Sequence, residues 1–369
     1  MYLNSFFDAT LYVNLQAVQK NYLTLQQKSF PAKCAATIKA NAYGLGVNSI
    51  LNSLYEVGCR DFFTATLGEA IYLRKIKEDI NIYIFHGLKE NECDEFFKHN
   101  LTPILNSIDE IKIWQNYAKK KRLILSANIH FDTGINRLGL NFEDLKLFKS
   151  NKIKYDQIKI EYIMSHLACS NEHDNPRNQL QLEQVLELKE VFPKQKFNLA
   201  NSSAIFLDKK YHFDMVRPGA ALFGINPTPY LKENPMDQVV TLTTKVIHIR
   251  EVKQNGMVGY GNICPIKKGM RLATIPIGYA DGYLRSLTNR GYCYLIANII
   301  PTLGKISMDM TIIDISNFNK NEIKIGDEVE IIGKNIDLSE LAKQAGTISY
   351  EILTSFSGRF KKVYVAYQG

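Results

Sequence analysis

Ile38-Lys39-Ala40-Asn41-Ala42-Tyr43-Gly44-Leu45-Gly46 is the stretch whose reading decides the fold. A lysine closes a short apolar run, Cys34 to Ile38, and is followed at once by small residues, a tyrosine and two glycines. A strand ending in this way holds an amine still, and its small neighbours let a flat, phosphorylated ligand come close. The tyrosine hydroxyl can hold an anion. Such a lysine can form an imine with an aldehyde once desolvation or nearby positive charge lowers its pKa. In a parallel barrel, catalytic residues lie at the C-terminal ends of strands, which is where the spacing puts Lys39. A lysine snorkelling off a strand end is the plain alternative, and the flanking Asn-Ala-Tyr-Gly argues against it.

The chain around this stretch alternates. Leu11 to Val13 reads as a strand, and Asn14 then caps a helical pattern reaching about Gln27. Cys34 to Ile38 is a strand, and Val47 to Val57 is a helix stopped by Gly58. Phe62 to Thr66, Ile82 to Phe85, Leu123 to Phe131, Ile158 to Met164 and Phe197 to Ala200 read as further strands, each barrel-like unit completed by a helical stretch such as Asn178 to Val191. Strand alternating with helix over this length predicts a closed eightfold (β/α) barrel of the TIM type.

From about Val239 the pattern turns to strands. Val239 to Arg250, Arg271 to Ile277, Tyr292 to Ile300, Thr311 to Ile315 and Glu328 to Ile332 are strand-like, and helical spacing returns near Leu338 to Gln344. The expected organisation is a barrel over 1–232 and a mostly β domain over 233–369. The Pro-rich segment Asn226 to Pro235 marks the boundary.

The 369 residues carry a net charge of +8 and 46% hydrophobic residues, an ordinary composition for a globular chain of two domains. The basic residues are dispersed. The run Lys119-Lys120-Lys121-Arg122 reads as a solvated helix end, so no nucleic-acid partner is expected. The six cysteines show no paired spacing and read as reduced thiols of a cytoplasmic protein. The N-terminus lacks the pattern of a signal peptide, and no apolar run approaches the roughly 20 residues of a membrane span.

Several other segments follow strands. Arg217-Pro218-Gly219-Ala220 combines a helix start with a glycine that lets a ligand approach, and the N–H groups of Gly219 and Ala220 suit a phosphate. Asn201-Ser202-Ser203 offers hydroxyls to the same anion, or simply caps a helix. His166 closes the run Ile163-Met164-Ser165 at a strand end. With Cys169, His173 and Asp174 it matches no common zinc spacing, so no metal is expected. Arg137, in Asp132-Thr133-Gly134-Ile135-Asn136-Arg137, can present a planar fork to a carboxylate, with a surface salt bridge as the alternative. Tyr260 stands between Gly259 and Gly261. Gly278-Tyr279-Ala280-Asp281-Gly282 and Ser307-Met308-Asp309 are short loops after strands.

Taken in order, these segments, together with Thr347-Ile348-Ser349-Tyr350-Glu351, resemble the alanine racemases from near the N-terminus to the last strand. The resemblance implies a barrel plus a β domain, a pyridoxal 5'-phosphate cofactor carried on Lys39, and a head-to-tail homodimer. Tyr260 and Met308 would serve the partner's active site. It implies that Tyr43, Ser202 (beside Asn201), the Gly219 and Ala220 amides and Tyr350 hold the phosphate. His166 would lie against the pyridine ring and Arg217 would face its nitrogen. Arg137 and the Met308 amide would bind the substrate carboxylate, and Tyr279 would line the substrate's access path.

Two departures from the family pattern stand out. Leu45 replaces a usual histidine, so a polar contact beside the cofactor lysine is missing or replaced. His130 stands where the family often has a lysine that can be carbamylated, so a neutral acceptor, water or a small anion is expected to steady Arg137.

The implied reaction is exchange of L-alanine and D-alanine, supplying D-alanine to the cell wall. Lys39 and Tyr260 would act as bases on opposite faces of the substrate, and the resemblance implies that the chain Tyr260–His166–Arg217 would lower the tyrosine pKa. Two rival readings are a decarboxylase of similar fold and a non-catalytic pyridoxal-phosphate-binding protein. Arg217 speaks against the first, since a decarboxylase is expected to pair the ring nitrogen with an acid. The β domain with Tyr260 and Met308 speaks against the second.

Overall fold

The computed structural model describes residues 8–356 and 358–365. They form two compact units. One comprises Val18–Ala42 and Gly46–Asp237; the other takes the described residues up to Ala17, Tyr43–Leu45 and those from Gln238 onward.

The first unit is built on a parallel sheet of nine segments. Two of these, Lys33–Cys34 and Ala36–Thr37, are one stretch of chain interrupted at Ala35. The Ala35 N–H donates to the Val216 carbonyl at 3.0 Å, and the Ile38 N–H donates to that of Phe63 at 3.0 Å. This stretch therefore hydrogen-bonds to both ends of the sheet and closes it into an eightfold barrel. The remaining strands are Asp61–Thr64, Asn81–Ile84, Thr102–Leu105, Leu125–His130, Ile158–Met164, Lys196–Asn201 and Met215–Arg217. The interior is packed rather than hollow: Ala35, Phe63, Tyr83, Ile104, Tyr162, Met164 and Met215 form one buried cluster. Polar caps start the outer helices. Thr66 and Glu69 make a capping box on Leu67–Ile76, Ser107 caps Ile108–Lys121, and Asn175 precedes Pro176 at the head of Pro176–Val191.

The second unit holds a mixed nine-stranded sheet. Its strand Ala9–Asn14 lies antiparallel to Val240–Lys245, with Leu11 opposite Leu242, and parallel to Lys361–Val365. The expected strand at Leu11 to Val13 is thus present, but it opens this sheet rather than the barrel alternation. Its side chains explain the placement. Ala9, Leu11 and Val13 are buried while Thr10, Tyr12 and Asn14 are half-buried, the period-two pattern of a sheet with unequal faces. The barrel strand Asp61–Thr64 is buried at every position.

Two expected strands are broken. Val239 to Arg250 divides into Val240–Lys245 and His248–Glu251. Tyr292 to Ile300 is a hairpin, Tyr292–Leu295 against Asn298–Leu303. Its turn is Ile296–Ala297, with φ of +42° and +59°. Two-residue hairpin turns of this hand normally carry glycine or asparagine, and neither is present to mark it.

Candidate active site

Lys39 does not end a strand. The strand stops at Thr37, and Lys39 opens a single turn, Lys39–Tyr43, in which Ala40, Asn41, Ala42 and Tyr43 all have φ between +52° and +55°. Four non-glycine residues in the left-handed region cost roughly 1–2 kcal/mol each, so the turn persists only where its surroundings hold it. The Ala42 N–H donates to the Ile38 carbonyl and the Gly46 N–H to that of Asn41, both at 3.0 Å. The Asn41 Oδ1 accepts from the Val47 N–H at 2.9 Å, and a Glu69 carboxylate oxygen accepts from the Ala40 N–H at 2.6 Å. The Lys39 amine lies 5.7 Å from the centre of the Phe85 ring. Burial, and after it the Arg137 charge, lowers its pKa, while Glu69 opposes the shift.

Beyond the turn, in the second unit, the Gly44 carbonyl accepts from Lys362 Nζ at 2.6 Å and that of Leu45 from the Tyr364 hydroxyl at 2.9 Å. Leu45 itself is fully buried. Polar support of this segment thus comes through the backbone, from the last strand. Gly44 admits no side chain, because a Cβ there would stand 2.5 Å from the Leu353 carbonyl oxygen.

Arg217 ends the last barrel strand and is buried. Its Nη1 donates to the Asn198 carbonyl at 3.0 Å and to the Asn198 side-chain oxygen. Its Nη2 donates to the Ser165 carbonyl at 2.8 Å and to His166 Nδ1 at 3.2 Å. A guanidinium has no acceptor, so Nδ1 receives and the imidazole proton sits on Nε2. Burial first, then Arg217 and Arg137, holds the His166 pKa well below its usual value, which keeps the ring neutral. Gln181 Nε2 fixes the His166 backbone through its carbonyl at 2.9 Å.

Ser202 stands beside the segment after Arg217. Its Oγ accepts the N–H of Gly219 at 3.0 Å and of Ala221 at 3.2 Å. The Gly219 amide, expected to face a phosphate, is thus turned to the serine, and the serine's own hydrogen remains as the donor. Asn201 uses its Oδ1 to accept from the Ser170 hydroxyl at 2.8 Å and the Ala204 N–H at 3.1 Å, the capping role that its position also allowed. His173 pairs with Asp174 at 2.8 Å on the exposed surface.

The loop carrying Arg137 is tied by Asp132, whose carboxylate accepts the N–H groups of Gly134, Ile135 and Arg137 at 2.7, 2.9 and 3.2 Å. The loop folds over His130: the Leu140 N–H donates to the His130 carbonyl at 2.8 Å. A Cβ on Gly139 would stand 3.2 Å from the imidazole. Asn106 donates its amide hydrogens to the Phe85 and Ile104 carbonyls at 3.1 and 2.8 Å, so its Oδ1 accepts from His130 Nδ1 at 2.9 Å. His130 therefore presents Nε2 as a bare lone pair, buried and without a partner among the described residues. Burial, Arg217 and Arg137 push its pKa down to about 4, making it a neutral acceptor.

The second unit places the other expected residues. Tyr43 is buried with its ring 6.2 Å from that of Tyr350. Burial, with Tyr350 adding, raises its pKa, so its hydroxyl is a donor. Tyr260 is 73% exposed, at the tip of the hairpin Gly256–Val258 and Cys264–Ile266. Gly259 and Gly261 flank it with φ of +77° and +75°. Tyr279 and Met308, both exposed, sit on loops laced together: the Tyr279 N–H donates to the Ser307 carbonyl at 3.1 Å and the Ala280 N–H to that of Met308 at 3.0 Å. Arg359 bridges the same loops, with Nε 3.0 Å from Asp281 and Nη1 2.8 Å from Asp309.

The barrel unit's donor set fits pyridoxal phosphate. Lys39 would offer the aldehyde an amine of lowered pKa, Ser202 would offer the phosphate a hydroxyl hydrogen, and Arg217 would face a ring nitrogen with a donor that cannot protonate it. Sequence reasoning missed Asn198, Gln181 and Glu69. None of them lies in a Gly-rich or strand-end segment, and each acts by orienting another group.

The chain is similar to known proteins along nearly its whole length. Residues 13–227 match the model of the alanine racemase N-terminal domain, and residues 239–364 that of the C-terminal domain. The chain is 43% identical over 330 residues to the alanine racemase of Rickettsia bellii, covering 89% of this chain and 80% of the relative. It is 40% identical to that of Rickettsia canadensis, covering 96% and 98%. Among solved structures, the alanine racemase of Bartonella henselae with covalently bound pyridoxal phosphate superposes with a TM-score of 0.93 at 37% identity, over 97% of this chain and 99% of that one. The biosynthetic alanine racemase of Pseudomonas aeruginosa gives 0.90 at 27% identity, over 98% and 100%.

Proposed function

The chain belongs to the alanine racemase family, and from that premise we propose that it interconverts L-alanine and D-alanine with pyridoxal 5'-phosphate. The D-alanine supplies cell-wall peptidoglycan synthesis in the cytoplasm. The observation that carries the reading is the Lys39 amine, half-buried at the head of the left-handed turn that follows a barrel strand, with its pKa lowered.

When bound, the cofactor supplies an electron sink that acidifies the Cα–H of the amino acid. The residues do the rest. Lys39 would hold the cofactor, and its amine is the base that takes or returns the α-proton on one face. Ser202 donates to the phosphate, with the amides of Gly219 and Ala220 and the neighbouring Asn201 shaping the cradle. Tyr43 and Tyr350 are assigned phosphate contacts by their phenol hydrogens. Arg137 and the amide of the partner's Met308 receive the carboxylate, and Tyr279 lines the access path.

Racemisation needs a second base on the opposite face. We assign it to Tyr260 of the partner subunit in a homodimer, each β unit serving the other chain's barrel. An ordinary phenol, with a pKa near 10, is a weak base at neutral pH. Because Arg217 occupies His166 Nδ1, the Nε2 hydrogen is left to donate to the phenol oxygen.

The test follows chirality and exchange together. Purified holoenzyme should abolish the circular dichroism of L-alanine in D2O with deuterium entering Cα, and release neither amine nor carbon dioxide. Tyr260→Ala should slow exchange from one enantiomer by about 10²–10⁴-fold and from the other far less. Equal slowing in both directions would remove the two-base assignment.

A further inference from the structure

Glu69 is the third residue of the helix Leu67–Ile76, where a glutamate closes a capping box with Thr66. That duty occupies one carboxylate oxygen, which accepts the N–H of Thr66 at 3.2 Å and of Ala65 at 2.9 Å. The other oxygen has no part in the cap. It crosses to the neighbouring barrel loop and accepts the Ala40 N–H at 2.6 Å, the shortest of the three. Ala40 is the first left-handed residue after Lys39 and has φ +52°. The carboxylate thus welds the end of one barrel strand to the strained turn that follows the next-door lysine.

We propose that Glu69 is a positioning residue for Lys39: its second carboxylate oxygen selects the left-handed turn at Ala40 and so fixes the direction in which the lysine leaves the barrel rim. The turn needs such an external hold, since alanine has no preference of its own for that conformation. An ionised acceptor on a backbone N–H is among the stronger hydrogen bonds available to it. The same negative charge stabilises the Lys39 ammonium against burial and Arg137, so one group sets both the geometry and the charge balance of the amine. The proposal rests on Lys39 being the cofactor lysine, and its first readout does not use the cofactor.

Three variants separate positioning from capping. Thr66→Ala removes the cap hydroxyl and leaves the Ala40 bond. Glu69→Ala removes both functions, and Glu69→Gln offers one amide oxygen in place of two carboxylate oxygens. In the apoprotein, hydrogen exchange at the Ala40 and Ala42 amides should quicken at least tenfold in Glu69→Ala and less in Glu69→Gln, with Thr66→Ala unchanged. Titration with pyridoxal phosphate, followed by imine absorbance, should then show at least tenfold weaker binding in Glu69→Ala alone. If Glu69→Ala and Thr66→Ala lose the same thermal stability and neither changes amide exchange or cofactor affinity, Glu69 is a helix cap and the proposal fails. If exchange quickens as stated but no variant or parent binds the cofactor, the turn assignment stands and the cofactor reading is what falls.

Discussion

Arg217 Nη2 lies 3.2 Å from His166 Nδ1, and this single contact fixes which ring nitrogen of the histidine carries the hydrogen. The arginine is a donor only, so the histidine receives on Nδ1 and is left with a hydrogen on Nε2. The strand that carries Asn198 holds the guanidinium from its other side, so it cannot swing away. An arginine opposite a pyridine nitrogen leaves that nitrogen unprotonated, which limits how far the cofactor withdraws electrons. Arg217→Glu should therefore raise transamination relative to racemisation, about tenfold or more in the ratio of pyruvate to enantiomer formed. Far-ultraviolet circular dichroism checks that the variant is folded. An unchanged ratio would assign the ring nitrogen a different partner.

His130 makes a prediction about pH. Its pKa falls from 6.5 in the unfolded chain to about 4 in the fold, because burial and the charges of Arg217 and Arg137 disfavour the imidazolium. The unfolded state then binds more protons between these two values, so stability is full above about pH 6.5 and declines as pH falls toward 4. The linkage amounts to about 2 kcal/mol at pH 5 and about 3 kcal/mol below pH 4. His130→Gln removes the titration while retaining an acceptor. Urea melts at pH 7.5 and pH 5 should show a smaller acid loss in the variant, by roughly 2 kcal/mol. A parallel decline in both proteins would place the acid sensitivity elsewhere.

Arg359 predicts a kinetic signature. It spans Asp281, itself buried, and Asp309, and so couples the loops of Tyr279 and Met308. Asp281 is spoken for at its other oxygen by the Gly278 N–H at 2.9 Å. Arg359→Met strands that carboxylate at a cost of about 1–3 kcal/mol. The KM for alanine should rise about tenfold, equivalent to 1.4 kcal/mol, with a smaller change in kcat. Arg359→Lys, which keeps the charge but not the fork, should recover part of it. Loss of kcat alone would detach this clamp from substrate binding.

Much of this architecture is legible in the sequence, and the reasons for the rest are local. The barrel is visible because its strands are short apolar runs separated by helical stretches, as the cap at Asn14 illustrates; Thr66, a helix cap in the fold, reads along the sequence as the end of a strand. Lys39, Arg217 and Tyr260 stand out because glycines or small residues flank them. The hairpin at Ile296–Ala297 is invisible because a β-branched residue occupies a turn position that ordinarily calls for glycine or asparagine. The strand Ala9–Asn14 looks like any first barrel strand until its partner, Val240–Lys245, more than two hundred residues away, claims it. Asn198, Gln181 and Glu69 stay hidden because their contribution is the orientation of a neighbour, which no spacing along the chain encodes. The left-handed turn is hidden most completely, because Ala40 and Ala42 are good formers of the opposite helix.

That turn supplies the last prediction. Ala40 is exposed and has φ +52°, a conformation that costs alanine roughly 1–2 kcal/mol and glycine almost nothing. Replacing it by glycine relieves this strain. It also gives the unfolded chain more freedom, which takes back about 0.5–1 kcal/mol. The balance is a small gain, from about zero to 1.5 kcal/mol, where the same substitution in a right-handed helix would cost about 1 kcal/mol. Ala40→Gly should therefore melt at the same temperature as the parent or slightly above it. The N–H that Glu69 receives is unaffected by the change, so the Lys39 turn keeps its hold and cofactor affinity stays within about twofold of the parent, less than 0.5 kcal/mol. A clear drop in melting temperature would mean that the backbone after Lys39 is right-handed in solution.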